Sequence, residues 1–162
     1  MTVVSNTSPL IFLAKIERLG LLPTLYEQVV IPQAVLDEIG AKETTDTERI
    51  RDWRNRSPVR IRSATAPVRE QLPSDMGPGE RTAIALGLEL DPDLVLLDDQ
   101  EGRRIARAHD LTVTGTIGVL VEAREQEHVT SLRRELDRLV DAGLWIGEAF
   151  YERLVEEFDE DS

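Results

Sequence analysis

The chain has 162 residues, no cysteine, and 31 acidic against 19 basic residues, which gives a formal net charge of −12. This length suits one domain with a sizeable core, and the lack of cysteine excludes a disulfide framework and a thiolate metal site. The acidic surface repels polyanions, which argues against broad non-specific binding of nucleic acid at low salt.

The first half of the chain alternates between strand and helix patterns. Val3 and Val4 predict a short strand, and Ser8-Pro9 predicts the N-cap and first residue of a helix. Residues 28–31 predict a second strand, after which Pro32 begins a helix that Gly40 ends. Thr45 and Glu48 have the spacing of a capping box and predict a polar surface helix. Residues 59–61 alternate with arginines, which is typical of an edge strand.

The second half continues this alternation, which favours a parallel sheet covered by helices. A helix is predicted to start at Gly77-Pro78-Gly79-Glu80, and residues 94–97 are the most apolar run, typical of a central strand. Further strand and helix segments follow at residues 112–114 and from Gly115-Thr116 onward. We expect two amphipathic C-terminal helices at 130–142 and 148–158. We therefore predict a single domain over residues 1–158 and an acidic tail at 159–162.

The N-terminal sequence MTVVSNTSPLIFLAKIE lacks the pattern of a secretion signal. No apolar stretch approaches the length that spans a bilayer, so we expect a cytoplasmic protein with no membrane partner. Lys15 and Lys42 are the only lysines, and all other cations are arginines. An acidic, lysine-poor composition suits a high-salt cytosol in which charges are strongly screened. A halophilic host is our hypothesis from this composition.

Oxygen-bearing side chains follow two of the predicted strands at the point where each strand ends. Asn6 follows the first strand, with Thr7 and Ser8 behind it, and Asp98-Asp99 follow the strand at 94–97. In an open parallel sheet, ligands bind beyond the carboxyl ends of the strands where the strand order reverses. Hard oxygen ligands without histidine or cysteine select magnesium or manganese.

Five segments, in this order, resemble the PIN-domain nucleases, and more narrowly the bacterial and archaeal PIN-like proteins close to VapC-type toxins. The segments are VVSNTSPLIFLA, VVIPQAVLDEI, GPGERTAIALGLEL, LVLLDDQEGRRIA and VTGTIGVLVEA. The resemblance extends to the terminal LWIGEAFYERLVEEF and so spans roughly the whole chain. It implies a three-layer α/β/α sandwich whose mostly parallel five-stranded sheet has the order 3-2-1-4-5. It also implies an acidic cluster that holds one or two divalent ions.

Carried over by position, the resemblance assigns the metal ligands to Asn6, Glu38, Glu80 and Asp98 or Asp99. The four acidic residues would also be catalytic, and Thr116 would be a supporting hydroxyl, with Thr7 and Ser8 beside it. The implied reaction is hydrolysis of RNA phosphodiesters with Mg²⁺ or Mn²⁺.

Asn6 is a departure, because this position is an acid in the most familiar PIN pattern. Asparagine keeps a carbonyl ligand but removes one negative charge, so we expect weaker metal binding.

Each candidate also has a purely structural interpretation. The Asn6-Thr7-Ser8 turn could cap a helix, and Glu38 could be an ordinary exposed helix acid. Glu80 could complement a helix dipole, and one aspartate of 98-99 could cap the next helix.

The arginines and tryptophans allow similar alternatives. Arg81 and Arg103 are candidates for RNA phosphate contacts, although solvated ion pairs are an alternative for them and for Arg104 and Arg107. Trp53 and Trp145 are interpreted as packing or interface residues rather than as base-stacking platforms, because neither follows a predicted strand end of the site.

The sequence bears on three classes of function. The favoured class is an endoribonuclease, either alone or as the toxin of a toxin–antitoxin pair whose small partner blocks the site, and homodimerisation through the C-terminal helices would accompany it. The second is a catalytically reduced PIN-like module that binds or regulates a protein partner. The third, a Rossmann-like nucleotide-binding enzyme, lacks support because no GxGxxG or phosphate-binding lysine motif follows the first strand.

Overall fold

The computed structural model describes residues 1–159, apart from the side chains of residues 66 and 67. The strands are β1 (Thr2–Ser5), β2 (Gln28–Pro32), β3 (Val59–Arg62), β4 (Leu94–Leu96) and β5 (Val113–Thr114). The helices are α1 (Thr7–Lys15), α2 (Leu21–Leu25), α3 (Gln33–Gly40), α4 (Thr45–Arg56), α5 (Ala66–Arg69), α6 (Pro78–Leu90), α7 (Gln100–Ala108), α8 (Thr116–Glu125), α9 (Leu132–Asp141) and α10 (Glu148–Phe158).

The strands form one sheet of order β3-β2-β1-β4-β5, and every pairing between the described strands is parallel. This confirms the predicted strand order. The chain moves outward from β1 in one direction through β2 and β3, and in the other through β4 and β5. The carboxyl ends of β1 and β4 therefore flank the point where the strand order reverses, which is where α/β sheets bind ligands.

Alternating side chains of β1 explain why helices cover both faces of the sheet. Val3 packs into the larger apolar cluster, which includes residues of α1, α8, α9 and α10. Val4 packs into a second cluster, with Ala83 and Leu86 of α6 and Val95 of β4. Both valines are completely buried. The period of two along the strand thus yields the expected three-layer α/β/α sandwich.

Two helix starts differ from the sequence prediction. The N-cap of α1 is Asn6, two residues before the predicted Ser8. The N-cap of α4 is Thr44, whose side chain accepts from Thr47 N, so the capping box predicted at Thr45 lies one residue too late. Two short helices, α2 and α5, were not predicted, because segments of five and four residues carry no readable helical period.

The C-terminal boundary also differs at one residue. Asp159 was assigned to the acidic tail, but its carboxylate accepts hydrogen bonds from Leu132 N at 2.8 Å and Arg133 N at 2.7 Å. It also forms an ion pair with Arg124 at 3.0 Å. Asp159 therefore ties the end of α10 to the start of α9. Residues 160–162 of the predicted tail lie outside the described residues.

Candidate functional site

Three neighbouring strand ends carry polar side chains to one edge of the sheet. Asn6 follows β1, and its backbone N–H donates to Leu96 O of β4 at 3.0 Å. Leu97 N in turn donates to Thr114 O of β5 at 2.8 Å. These bonds continue the strand pairing to the last residue before each turn. They place Asn6, Asp98 and Thr116 side by side at the carboxyl edge.

Asp98 is held by three neutral donors. Its Oδ1 accepts from Thr116 N at 2.7 Å, and its Oδ2 accepts from Thr116 Oγ1 at 2.7 Å and from Ser8 Oγ at 3.0 Å. The carboxylate is half-buried, and hydrogen bonds to a charged acceptor are stronger than neutral ones. The predicted supporting roles of Thr116 and Ser8 rest on these contacts, which fix the side chain without neutralising its charge.

Asp99 occupies a different position from its neighbour. It is the N-cap of α7, and its Oδ2 accepts from Gly102 N at 2.8 Å. This bond satisfies one of the unpaired N–H groups of the first helical turn. Asp99 is exposed and also lines the cavity described below. The sequence could not rank the two aspartates; the structure shows Asp98 fixed between strand ends and Asp99 partly engaged in capping.

Glu38 reaches the same edge from α3. Thr7 Oγ1 donates to Glu38 Oε2 at 2.6 Å, which links the start of α1 to α3. A Cβ built on Gly79 would clash with Glu38 Oε2 and would lie 3.2 Å from Thr7 Oγ1. A side chain at residue 79 would force Glu38 to shift, so glycine lets the first turn of α6 pass this close to the acid without moving it.

Glu80 lies in the first turn of α6 and is half-buried. Its pKa is raised from the usual value, first by desolvation and then by the charges of Asp99, Glu101 and Glu38. The positive end of the α6 dipole does not overcome these effects. Mutual repulsion among these carboxylates therefore opposes the ionisation of Glu80.

Asn6 has an unusual environment for its side chain. The residue is only 7% exposed, and its Oδ1 is buried without a hydrogen-bond partner among the described residues. Asn6 stands at the N-cap position of α1, but its side chain makes no capping bond to the helix. An unsatisfied buried polar atom costs roughly 1–3 kcal/mol. Its presence at a strand end indicates an atom available to a ligand.

One cavity of about 560 Å³ brings these residues together. All five predicted metal ligands line it, together with Thr7 and Ser8. Ile11, Phe12 and Gly77 complete its wall. The predicted convergence of the strand-end residues with Glu38 and Glu80 is thus present in the fold.

The chemistry of this donor set fits a hard divalent cation, because every polar group is a carboxylate, amide or hydroxyl oxygen. Within residues 1–159, however, no group of three or more Asp, Glu, His or Cys side chains is placed so that it could hold a metal ion. Asp98, Asp99 and Glu38 are each engaged by neighbouring donors. The free oxygen of Asn6 and the crowded acids around Glu80 are the features that a cation would satisfy.

The two candidate RNA-binding arginines differ in position. Arg103 lines a second cavity together with Asp98, and its Nε is buried without a partner in the described part of the chain. Arg81 directs an Nη2 towards Leu72 O at 3.4 Å and does not line the acidic cavity. Arg104 forms an exposed ion pair with Glu101, which agrees with the ion-pair interpretation for that residue.

Sequence reasoning missed the glycines that make room for the acids. A Cβ on Gly115 would lie 2.6 Å from Asp98 Oδ1, and one on Gly102 would lie 2.9 Å from Glu80 Cδ. Both glycines, like Gly79, stand within three residues of a helix start and near a candidate acid in space. A glycine near a helix start can be recognised in the sequence. The acid for which it makes room belongs to another segment, so the sequence does not show which acid that is.

The two tryptophans lie in different environments. Trp53 packs against the larger core cluster, as the packing interpretation predicts. Trp145 is 85% exposed, so it does not pack into the core, and the interface alternative stays a prediction for this residue. The segment that carries Trp145, between α9 and α10, follows no strand end, so no sequence pattern places it near the site.

Comparisons with known proteins agree with this geometry. The family model DUF3368, described as a PIN domain, matches residues 2–160. No curated protein matches the chain. The PIN domain is a nuclease-type fold, and the parallel sheet of order β3-β2-β1-β4-β5 is consistent with it. Because the match covers nearly every residue, the chain belongs to the PIN-domain family.

Proposed function

We propose that the chain is a metal-dependent endoribonuclease that hydrolyses RNA phosphodiesters. The observation that carries this proposal is the convergence of Asn6, Glu38, Glu80, Asp98 and Asp99 on one cavity at the carboxyl edge of the sheet. PIN domains are generally nucleases, which supports a phosphodiester substrate.

In this proposal Asp98 is the central acid, because Ser8 and Thr116 hold it towards the cavity. Asn6 would contribute its unpartnered carbonyl oxygen, and Glu38, Glu80 and Asp99 would complete the acidic group. Bound Mg²⁺ or Mn²⁺ would supply Lewis acidity for activating a water and for neutralising charge on the phosphate. Arg103, whose Nε has no partner among the described residues, would contact a substrate phosphate.

The proposal is tested by RNA cleavage with Mn²⁺ or Mg²⁺ in high salt. Wild type is compared with Asp98→Asn/Asp99→Asn and with the control Asp141→Asn, an exposed acid outside the cavity. Loss of cleavage in the double variant alone supports the enzyme. Equal cleavage by all three proteins would identify a contaminant, and no cleavage by any of them would refute the proposal.

A catalytically reduced PIN module that binds a protein partner is the second candidate. Asn6 favours it, because the amide removes one negative charge from the ligand set. The lack of a closed acidic metal site within residues 1–159 also favours it. Metal binding without RNA cleavage would support this candidate over the nuclease.

The toxin role rests on the resemblance to VapC-type proteins alone. It would require a small antitoxin-like partner that blocks the cavity, and a neighbouring reading frame for such a protein would support it. A homodimer through the C-terminal helices is proposed from their amphipathic pattern and from Val140, an apolar side chain that α9 leaves exposed. A monomeric mass in light scattering would refute the dimer.

A cytoplasmic location in a halophilic cell is proposed from composition. The formal charge of −12 and the two lysines support high-salt adaptation. Within residues 1–159 the model has no helix that is both long and apolar enough to cross a bilayer.

A further inference from the structure

A second cavity adjoins the acidic one, because Asp98 lines both. It has a volume of about 540 Å³, within the range of pockets that bind small organic groups. Gln100 and Arg103 stand with Asp98 at its polar end. The rest of its wall, which we call the aromatic groove, is lined by Ile117, Val121, Leu144, Trp145, Ile146 and Phe150.

Trp145 is the most exposed large apolar side chain of the groove. It is 85% exposed, whereas Phe150 beside it is 42% exposed. The edge of its indole lies near Gly147, where a Cβ would be 3.4 Å from the ring. The fold therefore gains little burial from this tryptophan. A large aromatic ring left in water beside a candidate active site is available for stacking against a flat ligand.

Two arginines offset the charges of the two acids at the groove. The Nε of Arg103 is buried without a hydrogen-bond partner among the described residues, and its Nη1 lies 3.6 Å from the position of a Cβ on Gly115, beside the Asp98 carboxylate. The guanidinium of Arg153 stands over the Phe150 ring at 5.7 Å from its centroid. Asp98 and Glu157 line the same cavity. An occupant would therefore meet a flat apolar ring at Trp145 and a cation at Arg103.

We propose that the aromatic groove binds one nucleobase of single-stranded RNA, with Trp145 as the stacking platform and Arg103 as the donor to the adjacent phosphate. The proposal rests on the nuclease function and names the substrate subsite next to the acids. A nucleotide carries both a flat aromatic ring, which could stack on Trp145, and a phosphate, which could accept from Arg103; both residues line this one cavity. Because every base has an aromatic face, the subsite would favour unpaired over paired RNA without reading sequence.

The test uses the emission of Trp145 in a Trp53→Phe protein, in high KCl with Ca²⁺ as the hard cation. The probes are a short oligouridylate, checked by gel to remain intact, and an abasic ribose-phosphate oligomer of the same length. We expect saturable quenching by the oligouridylate and none by the abasic oligomer. By anisotropy, Trp145→Ala should bind labelled oligouridylate roughly tenfold or more weakly, the range for loss of one base stack, while Trp145→Phe stays near wild type.

Three outcomes would overturn the inference. Equal affinity of Trp145→Ala and wild type for the oligouridylate would show that no base stacks on Trp145. Quenching by the abasic oligomer equal to that by the oligouridylate would show that the protein binds the phosphates alone. If the emission of Trp145 shifts to shorter wavelength as the protein concentration rises and does not respond to RNA, the groove is occupied by a second copy of the chain.

Different experimental results would refute the base subsite and the nuclease proposal. Metal-dependent cleavage that is unchanged in kcat and KM by Trp145→Ala leaves the nuclease intact and refutes the base subsite. Base-dependent quenching without any cleavage refutes the nuclease and leaves the base subsite intact.

Discussion

Replacing Gly115 by alanine should destabilise the protein by displacing Asp98. Gly115 has φ −119° and ψ −171°, an extended conformation open to any residue, so the effect is steric and not conformational. The new Cβ would lie 2.6 Å from Asp98 Oδ1 and 3.3 Å from the Leu97 carbonyl oxygen. Asp98 must therefore move away from the N–H of Thr116, the donor to Oδ1.

The magnitude follows from the hydrogen bond that is lost. A hydrogen bond to a charged group contributes roughly 1.5–3 kcal/mol, and the lower entropy of the unfolded alanine chain offsets about 0.4–1 kcal/mol. We expect the free energy of unfolding to fall by about 1–2 kcal/mol.

Urea unfolding in high KCl measures this change. Gly40→Ala is the matched control, because nothing lies within 4 Å of its Cβ position at the end of α3, and it should be neutral or slightly stabilising. The variant should also bind Mn²⁺ more weakly in calorimetry. A Gly115→Ala protein as stable as Gly40→Ala, with unchanged Mn²⁺ affinity, would refute the placement of Asp98.

Three further predictions concern charge. Asn6→Asp should tighten Mn²⁺ binding in titration calorimetry, since it restores a carboxylate beside the others, and equal or weaker binding would contradict this. The pKa of Glu80 is raised in the folded state, so its stabilising contribution is complete at low pH and is lost as pH rises through the folded pKa. In the metal-free protein, Glu80→Gln should therefore be more stable than wild type at neutral pH but not near pH 4. Urea titrations that give the same difference in free energy of unfolding between variant and wild type at both pH values would argue against this prediction. Finally, the free energy of unfolding should rise with KCl, because salt screens the net charge of −12; a maximum near zero KCl would remove the halophilic hypothesis.

The sheet was predictable because its signals are local. The apolar run before Asp98 and the alternation at residues 59–61 each lie within a few residues of the strand they predict. The order of the strands in the sheet was implied by the family resemblance, and the observed order β3-β2-β1-β4-β5 confirms it. The convergence of the acids followed from the same two facts, since parallel strands end at one edge.

The details of the site depend on partners far apart in sequence. Ser8 was predicted as a helix cap, but its hydroxyl donates to Asp98, ninety residues away. The roles of Asp98 and Asp99 separate only when Thr116 and Gly102 are placed beside them. Trp145 lies between two helices with no period to read, and its exposure depends on how α10 packs. No local pattern carries this information.

Asn6 and Glu80 show why this site can remain folded without a cation. Four carboxylates already line the cavity. The pKa of Glu80 is raised first by desolvation and then by the charges of Asp99, Glu101 and Glu38. A fifth charge at residue 6, buried to 7% exposure, would add repulsion and desolvation at the point of least solvent. The amide avoids that cost and leaves its oxygen available. We therefore expect weaker cation binding than with an acid at residue 6, so that metal-dependent cleavage should require a higher metal concentration.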